Sequence, residues 1–250
     1  MLALHGLGSI TSAKQAWWQN PNTFALLLED AKSGEPLGGV RLQRWGNGQA
    51  LPLEQALAFV DPQVHAWVAC FADRGVAELC GLWCSPKLGG FQLGLVLTRM
   101  GLALAGQLRT HTLLALCDSA KAVNNCRLGF TRDRSLACRG TFEYPRPGLR
   151  AQVLKLSNTW RLSEATAENR SAISNYRDVP TGTERLSRGE SWLELTRDLR
   201  LSPPENREQQ HGWLAARAGQ NTQQPKLPAP APAASLCFER ATPGVFQTAQ

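Results

Sequence analysis

The stretch from Ala77 to Cys117 constrains the fold more than any other. Ala77–Cys84 (AELCGLWC) reads as a buried strand, and Pro86–Gly94 is a glycine-bearing loop. Leu95–Arg109 is apolar at helical spacing, with small residues at Gly101, Ala103, Ala105 and Gly106, and Thr110–Cys117 is a second apolar strand. Strand, glycine loop, helix and strand in that order make the central unit of a chain that reads as mixed α and β, hence an α/β fold. A short loop from strand to helix leaves main-chain N–H groups free at the first helical turn. The helix dipole adds partial positive charge at the same point. Glycines at 89, 90 and 94 either let the main chain approach an anion or serve only tight turning and helix–sheet packing; the sequence leaves both open.

The flanking segments fit a mixed architecture. Thr23–Glu29 and Leu37–Trp45 read as strands, and Asp30–Pro36 carries the turn chemistry of a hairpin. Residues 53–60 and 63–72 suit helical or short connecting elements. A short helix is expected through Leu128, closed by Gly129 as a C-cap glycine. Strands are expected at 139–144 and 150–156, then helices and a last strand over Ser191–Leu201. From about Ser202 the composition turns to Pro, Gln, Asn and Ala, including the run QPKLPAPAPAA at 224–234. Such a segment buries too little apolar surface to offset its ordering entropy, so 202–250 is expected as a disordered tail and 1–201 as the domain.

Composition narrows the function classes. Hydrophobic residues make up 43% of the 250, which excludes a wholly disordered chain. No apolar run approaches the roughly 18–20 residues that span a bilayer. The N-terminal Met-Leu-Ala-Leu-His lacks the basic and apolar regions of a signal peptide. The expectation is a cytoplasmic protein with no membrane partner. Seven cysteines form no CxxC pair, and His5, His65, His111 and His211 are scattered, so no metal site is expected. Residues 1–150 carry 15 basic and 10 acidic side chains, and residues 151–250 carry 12 and 10. This dispersed excess, without a basic stripe interleaved with aromatics, suits an anionic small ligand and predicts no nucleic-acid partner.

The order of hairpin, strand, Ser85-Pro86, glycine loop, amphipathic helix and strand, then a helix ending in Arg-Leu-Gly-Phe at 127–130, resembles the GNAT superfamily of acyl-CoA-dependent N-acyltransferases. The resemblance covers roughly residues 23–156. It implies a mixed, centrally splayed β-sheet flanked by helices, with abbreviated N-terminal elements. It implies acetyl-CoA as co-substrate and an amine, on a small molecule or a protein, as acceptor. The family loop commonly reads Arg/Gln-x-x-Gly-x-Gly/Ala. Aligned from Pro86, its first position falls on Gly89, its middle glycine on Gln92 and its last on Gly94, and only the last is kept.

By that resemblance, main-chain groups of Gly89, Gly90, Gln92, Leu93 and Gly94 cradle the diphosphate. Leu82, Trp83 and Cys84 pair with the pantetheine arm, and an amide there receives the oxyanion. Glu78 falls where some family members hold a general base. Asn125 stands where a tyrosine often protonates the leaving thiolate, and Asp118 replaces a common asparagine. Tyr144 could serve as the acid only if the later strands fold back over the site. Trp17, Trp18 and Trp67 either line the acceptor side or simply pack. The implied activity is N-acetyl transfer by direct attack of the amine. The alternative is a fold relative that binds acyl-CoA or a protein partner without turnover.

Overall fold

The computed structural model describes residues 17–201 and, as a backbone strand, Ala233–Arg240. Strands β1 (Thr23–Asp30) and β2 (Pro36–Arg44) form the expected hairpin. Its turn is held by the Asp30 carboxylate, which accepts from the Lys32 and Ser33 amides and the Ser33 hydroxyl. Two short helices follow, α1 (Pro52–Leu57) and α2 (Gln63–Ala69), before β3 (Val76–Cys84). Helix α3 (Leu93–Gln107) crosses to β4 (Thr112–Asp118), and α4 (Ser119–Arg127) comes next. Gly129, at φ +98, caps α4 as the sequence predicts. Its amide reaches the Cys126 carbonyl, and the Phe130 amide reaches that of Asn125. β5 (Thr131–Arg132), β6 (Thr141–Glu143) and β7 (Arg150–Leu156) precede α5 (Ala167–Asp178) and a hairpin of β8 (Thr181–Arg188) and β9 (Ser191–Asp198).

One ten-stranded mixed sheet results, in the order β5-β7-β4-β3-β2-β1-β10-β9-β8, with β6 also on β7. Here β10 is Ala233–Arg240, which runs parallel to β1 and antiparallel to β9. It falls inside the stretch expected as a tail, so those eight residues join the sheet instead. The Pro/Ala run just before them masks a strand-compatible Leu236-Cys237-Phe238 in any compositional window. The rest of the expected tail lies outside the described residues.

Each face of the sheet buries its own cluster. Ala77 and Leu79 of β3 join Phe24, Leu26, Val40 and Leu42 under α3, which contributes Val96, Leu97, Met100 and Leu104. Fully burying a leucine of this kind contributes about 1.5–3 kcal/mol. The contact is close: a Cβ on Gly101 would lie 2.8 Å from Leu79 Cδ1. On the opposite face Val76, Leu114 and Val153 pack against Leu53 and Leu57 of α1 and Val64 and Val68 of α2. The period of two along β3 therefore aims Glu78, with Val76, at the α1 side. No helix among the described residues is long and apolar enough to cross a membrane.

Candidate active site

The centre of the sheet opens. β3 and β4 pair only at Val76–Thr112, Ala77–Leu113 and Glu78–Leu114. Beyond Glu78, β3 runs on to Cys84 and β4 to Asp118 without meeting. Exposure rises along the unpaired stretch, with Gly81 and Leu82 exposed and Trp83 and Cys84 half-buried. On the far wall Leu116 and Cys117 are half-buried. The gap is a V whose crotch is the Glu78–Leu114 pair.

A β-bulge turns the β3 wall. Arg41 pairs with Cys80 and Gly39 with Trp83, so Val40 faces two residues, Gly81 and Leu82. Gly81 takes φ +63, a left-handed conformation in which glycine carries no steric penalty. The extra residue reverses the alternation. Leu82 now turns to the α3 side, where its Cδ2 lies 3.9 Å from a Cβ built on Gly94. Trp83 turns to the other face, its Nε1 3.2 Å from a Cβ built on Gly39. The Ser85 amide donates to the Leu37 carbonyl at 2.7 Å, toward β2. Alternation then points the amides of Cys84 and Leu82 into the gap, while Trp83 between them has its main chain toward Gly39. The sheet is thus mixed and splayed at its centre, as the resemblance to the GNAT superfamily implies.

The loop of this strand–loop–helix unit is shaped by unequal glycines. Gly89 donates its amide to the Pro86 carbonyl at 3.0 Å. Gly90, at φ +87, faces a side chain: a Cβ there would collide with Arg188 Cδ. That glycine therefore makes room for an arginine, and its open side is filled. Gly94 is the open one, its Cβ position meeting only Leu82. Gln92 caps α3 at φ 54, ψ 27, a left-handed conformation at the place where the family loop carries its middle glycine. Leu95 and Val96 donate to the Gln92 carbonyl. Among the described residues the amides of Gln92, Leu93 and Gly94 make no hydrogen bond, so three free donors stand at the start of a fifteen-residue helix, beside Leu82 of the β3 wall.

Glu78 sits at the crotch and is 2% exposed. Its Oε2 accepts from the Leu53 amide at 2.7 Å. Burial pushes the carboxyl up to about 8, against that hydrogen bond and the Arg41 charge, while neighbouring Glu54 pushes it further up. Arg41 is 5% exposed, donates from Nε to Cys80 Sγ at 3.2 Å, and among the described residues leaves Nη2 without a partner. Trp17 lies over its guanidinium at 5.2 Å. Cys84 and Cys117 flank the gap, and burial raises both thiols, Cys84 to about 11. The Lys121 charge opposes both shifts.

The remaining sequence candidates have structural partners. The Asn125 side chain favours the Cys117 thiolate, opposing the rise that burial imposes. Asp118 Oδ1 caps α4 by accepting from the Ala120 amide at 2.7 Å. Tyr144 packs beside the cluster under α1 and α2. Trp67 packs there too, edge-on to Phe71. His111 lies at the opposite end of β4, its amide on the Gly75 carbonyl. Among the described residues no group of His, Cys, Asp and Glu could hold a metal ion. Sequence reasoning missed Gly81, Arg41 and Arg188. A lone glycine inside a strand signals a bulge, so Gly81 was findable; Arg188 meets the loop across 99 residues of chain, with no local signal.

No family model matches the chain, and no curated protein matches it. Similar solved structures include an N-acyl amino acid synthase from uncultured soil microbes, at 18% identity and TM-score 0.42 over 54% of this chain and 73% of that one. A CoA-dependent acyl-homoserine lactone synthase with SAM and isopentyl-CoA is similar at 10% identity and TM-score 0.42, over 72% and 77%. A spermidine N-acetyltransferase chimera from Vibrio cholerae and hSSAT is similar at 15% identity and TM-score 0.38, over 64% and 78%.

Proposed function

We propose that this protein is an acyl-CoA-dependent N-acyltransferase, with acetyl-CoA as the donor to try first and an amine, on a small molecule or protein, as acceptor. The parting of β3 from β4 just past Glu78 carries the reading, because it sets an acid, two inward amides and a helix start around one gap. A thioester arm lying in the gap would pair with Leu82 and Cys84. Its diphosphate would meet the amides of Gln92, Leu93 and Gly94. The six free cysteines among the described residues suit a reducing compartment, and we place the protein in the cytoplasm.

The chemistry follows from these positions. The amine nitrogen attacks the thioester carbonyl carbon, forming the C–N bond and a tetrahedral oxyanion. An inward amide, Leu82 by position, receives that oxyanion, an effect worth about 10²–10³ in rate in comparable sites. The amine proton passes to Glu78, through water where the buried carboxylate is out of direct reach, and the C–S bond then breaks. The departing thiolate takes a proton from the Glu78 acid or from water. A base near pH 8 matches this task, being free to accept a proton and able to return it.

One observation favours a second reading, binding without turnover. The position that would hold a hydroxyl acid is Asn125, whose carboxamide has no acidic proton to give. Thermal stabilisation by acetyl-CoA, followed by thiol release with a panel of amines, separates the two. Stabilisation with thiol release supports the transferase. Stabilisation without release across the panel supports the binder, and no stabilisation sinks both.

A further inference from the structure

The anion site has no cation of its own on the loop. Lys87 is the one basic residue between Ser85 and Gly94, and its Nζ is paired with Glu35 Oε1 at 2.7 Å. The first turn of α3 contributes amides and a partial charge near +0.5, with no basic side chain. A diphosphate carries more negative charge than that offsets.

Arg188 supplies what is missing. It ends β8, at the turn of the C-terminal hairpin, and reaches back onto the loop. Its Nη1 donates to the Gly89 carbonyl at 2.6 Å. The guanidinium carbon stacks 5.0 Å from the centroid of Phe91. The side chain occupies the space over Gly90, where a Cβ would collide with it. Three adjacent loop residues thus orient one arginine. Its neighbours on the hairpin behave differently: Arg185 stacks on Trp192, and Arg197 pairs with Glu184 at 3.8 Å. Among the described residues no carboxylate pairs with Arg188, and of the five N–H donors of its guanidinium one is engaged, by the Gly89 carbonyl.

We propose that Arg188 is the diphosphate-binding cation of this site, delivered by the hairpin in place of the basic residue the loop lacks. The proposal rests on the acyl-CoA reading. The planar fork of arginine suits two phosphate oxygens at once, and its orientation is set before ligand arrives. Gly90 is then a glycine for the arginine rather than for the phosphate. The hairpin becomes part of the binding site, so ligand should slow amide exchange in β8 and β9.

The test is calorimetric titration of the full chain and its Arg188→Ala and Arg188→Lys variants with coenzyme A, dephospho-coenzyme A and S-acetyl-pantetheine. Loss of a charge-assisted bond predicts binding weakened about ten- to a hundredfold in Arg188→Ala. That loss should be equal for the two diphosphate ligands, absent for S-acetyl-pantetheine, and smaller in Arg188→Lys. A loss confined to coenzyme A would overturn the assignment, since only the 3′-phosphate would then be read. An equal loss for S-acetyl-pantetheine would overturn it too, because the arginine would then merely hold the loop in shape. Unchanged coenzyme A binding in Arg188→Ala refutes it directly. If the unsubstituted protein binds neither diphosphate ligand, the acyl-CoA reading itself fails, before any variant is compared.

Discussion

The Leu53 amide donates to the Glu78 carboxylate at 2.7 Å, so a loop-to-helix junction on one face of the sheet fixes the acid at the point where β3 and β4 part. That single bond joins the local structure around α1 to the chemistry of the gap. It also explains how a carboxyl can be buried there without being unsatisfied.

Glu78 should impose a pH dependence with opposite signs on rate and stability. As the proposed base, Glu78 would work deprotonated, so kcat/KM is expected to rise with pH and level off above about 8. Glu78→Gln, which keeps an acceptor for the Leu53 amide, should lower kcat about 10²–10⁴-fold and abolish that rise. For stability, the folded chain holds a proton that the unfolded chain releases near 4.5. Stability is therefore fully present below about 4.5 and falls as pH rises toward about 8, by an amount on the order of 4–5 kcal/mol. Urea unfolding of both forms at pH 5 and pH 8.5 checks the sign, and the substituted form should be the less pH-sensitive.

Gly81→Ala tests the bulge. Space exists for the methyl group, whose nearest neighbour is Arg41 Cβ at 3.7 Å, but φ +63 is unfavourable for alanine. The expected cost is about 1–2 kcal/mol if the bulge persists. If β3 instead straightens, Leu82 and Cys84 change sides and turnover should fall far more than stability does. Unfolding midpoints compared with kcat/KM distinguish the two.

Gly94→Asp should separate stability from binding. The position lies in the first turn of α3 with room for a side chain, and a carboxylate there complements the helix dipole. Unliganded stability should hold or rise by about 0.3–1 kcal/mol. Coenzyme A binding should be lost, because the new charge faces the same amides that a diphosphate would. A fluorescence thermal melt with and without ligand reads both effects.

Gln92→Gly should relieve the left-handed cap. The gain from removing a side chain at φ 54, less the extra entropy glycine loses on folding, predicts net stabilisation of about 0.5–1 kcal/mol. Chemical denaturation measures it, and coenzyme A binding should be retained.

The β1–β2 hairpin and the unit from β3 to β4 were legible because their apolar residues recur at strand and helix periods. Gly129 was legible as a cap for the same local reason. The C-terminal hairpin was partly hidden. β8 alternates polar residues such as Thr181, Thr183 and Arg185 at the sheet edge, so no apolar period marks it, while β9 fell within the strand expected at 191–201. Glu78 stood out as a carboxylate in an apolar strand, yet its partner Leu53 is 25 residues away, and its raised pKa depends on that tertiary burial. Gly89 and Gly90 looked alike in sequence to Gly94. Only the return of Arg188 across the chain distinguishes them.

The most direct test is a titration of isotope-labelled protein with coenzyme A, followed by backbone amide resonances. Shifts concentrated at Leu82, Cys84, Gln92, Leu93 and Gly94, saturating together, are the predicted result. Unmoved resonances at those five amides under millimolar coenzyme A, or shifts centred on another face of the sheet, would contradict the account.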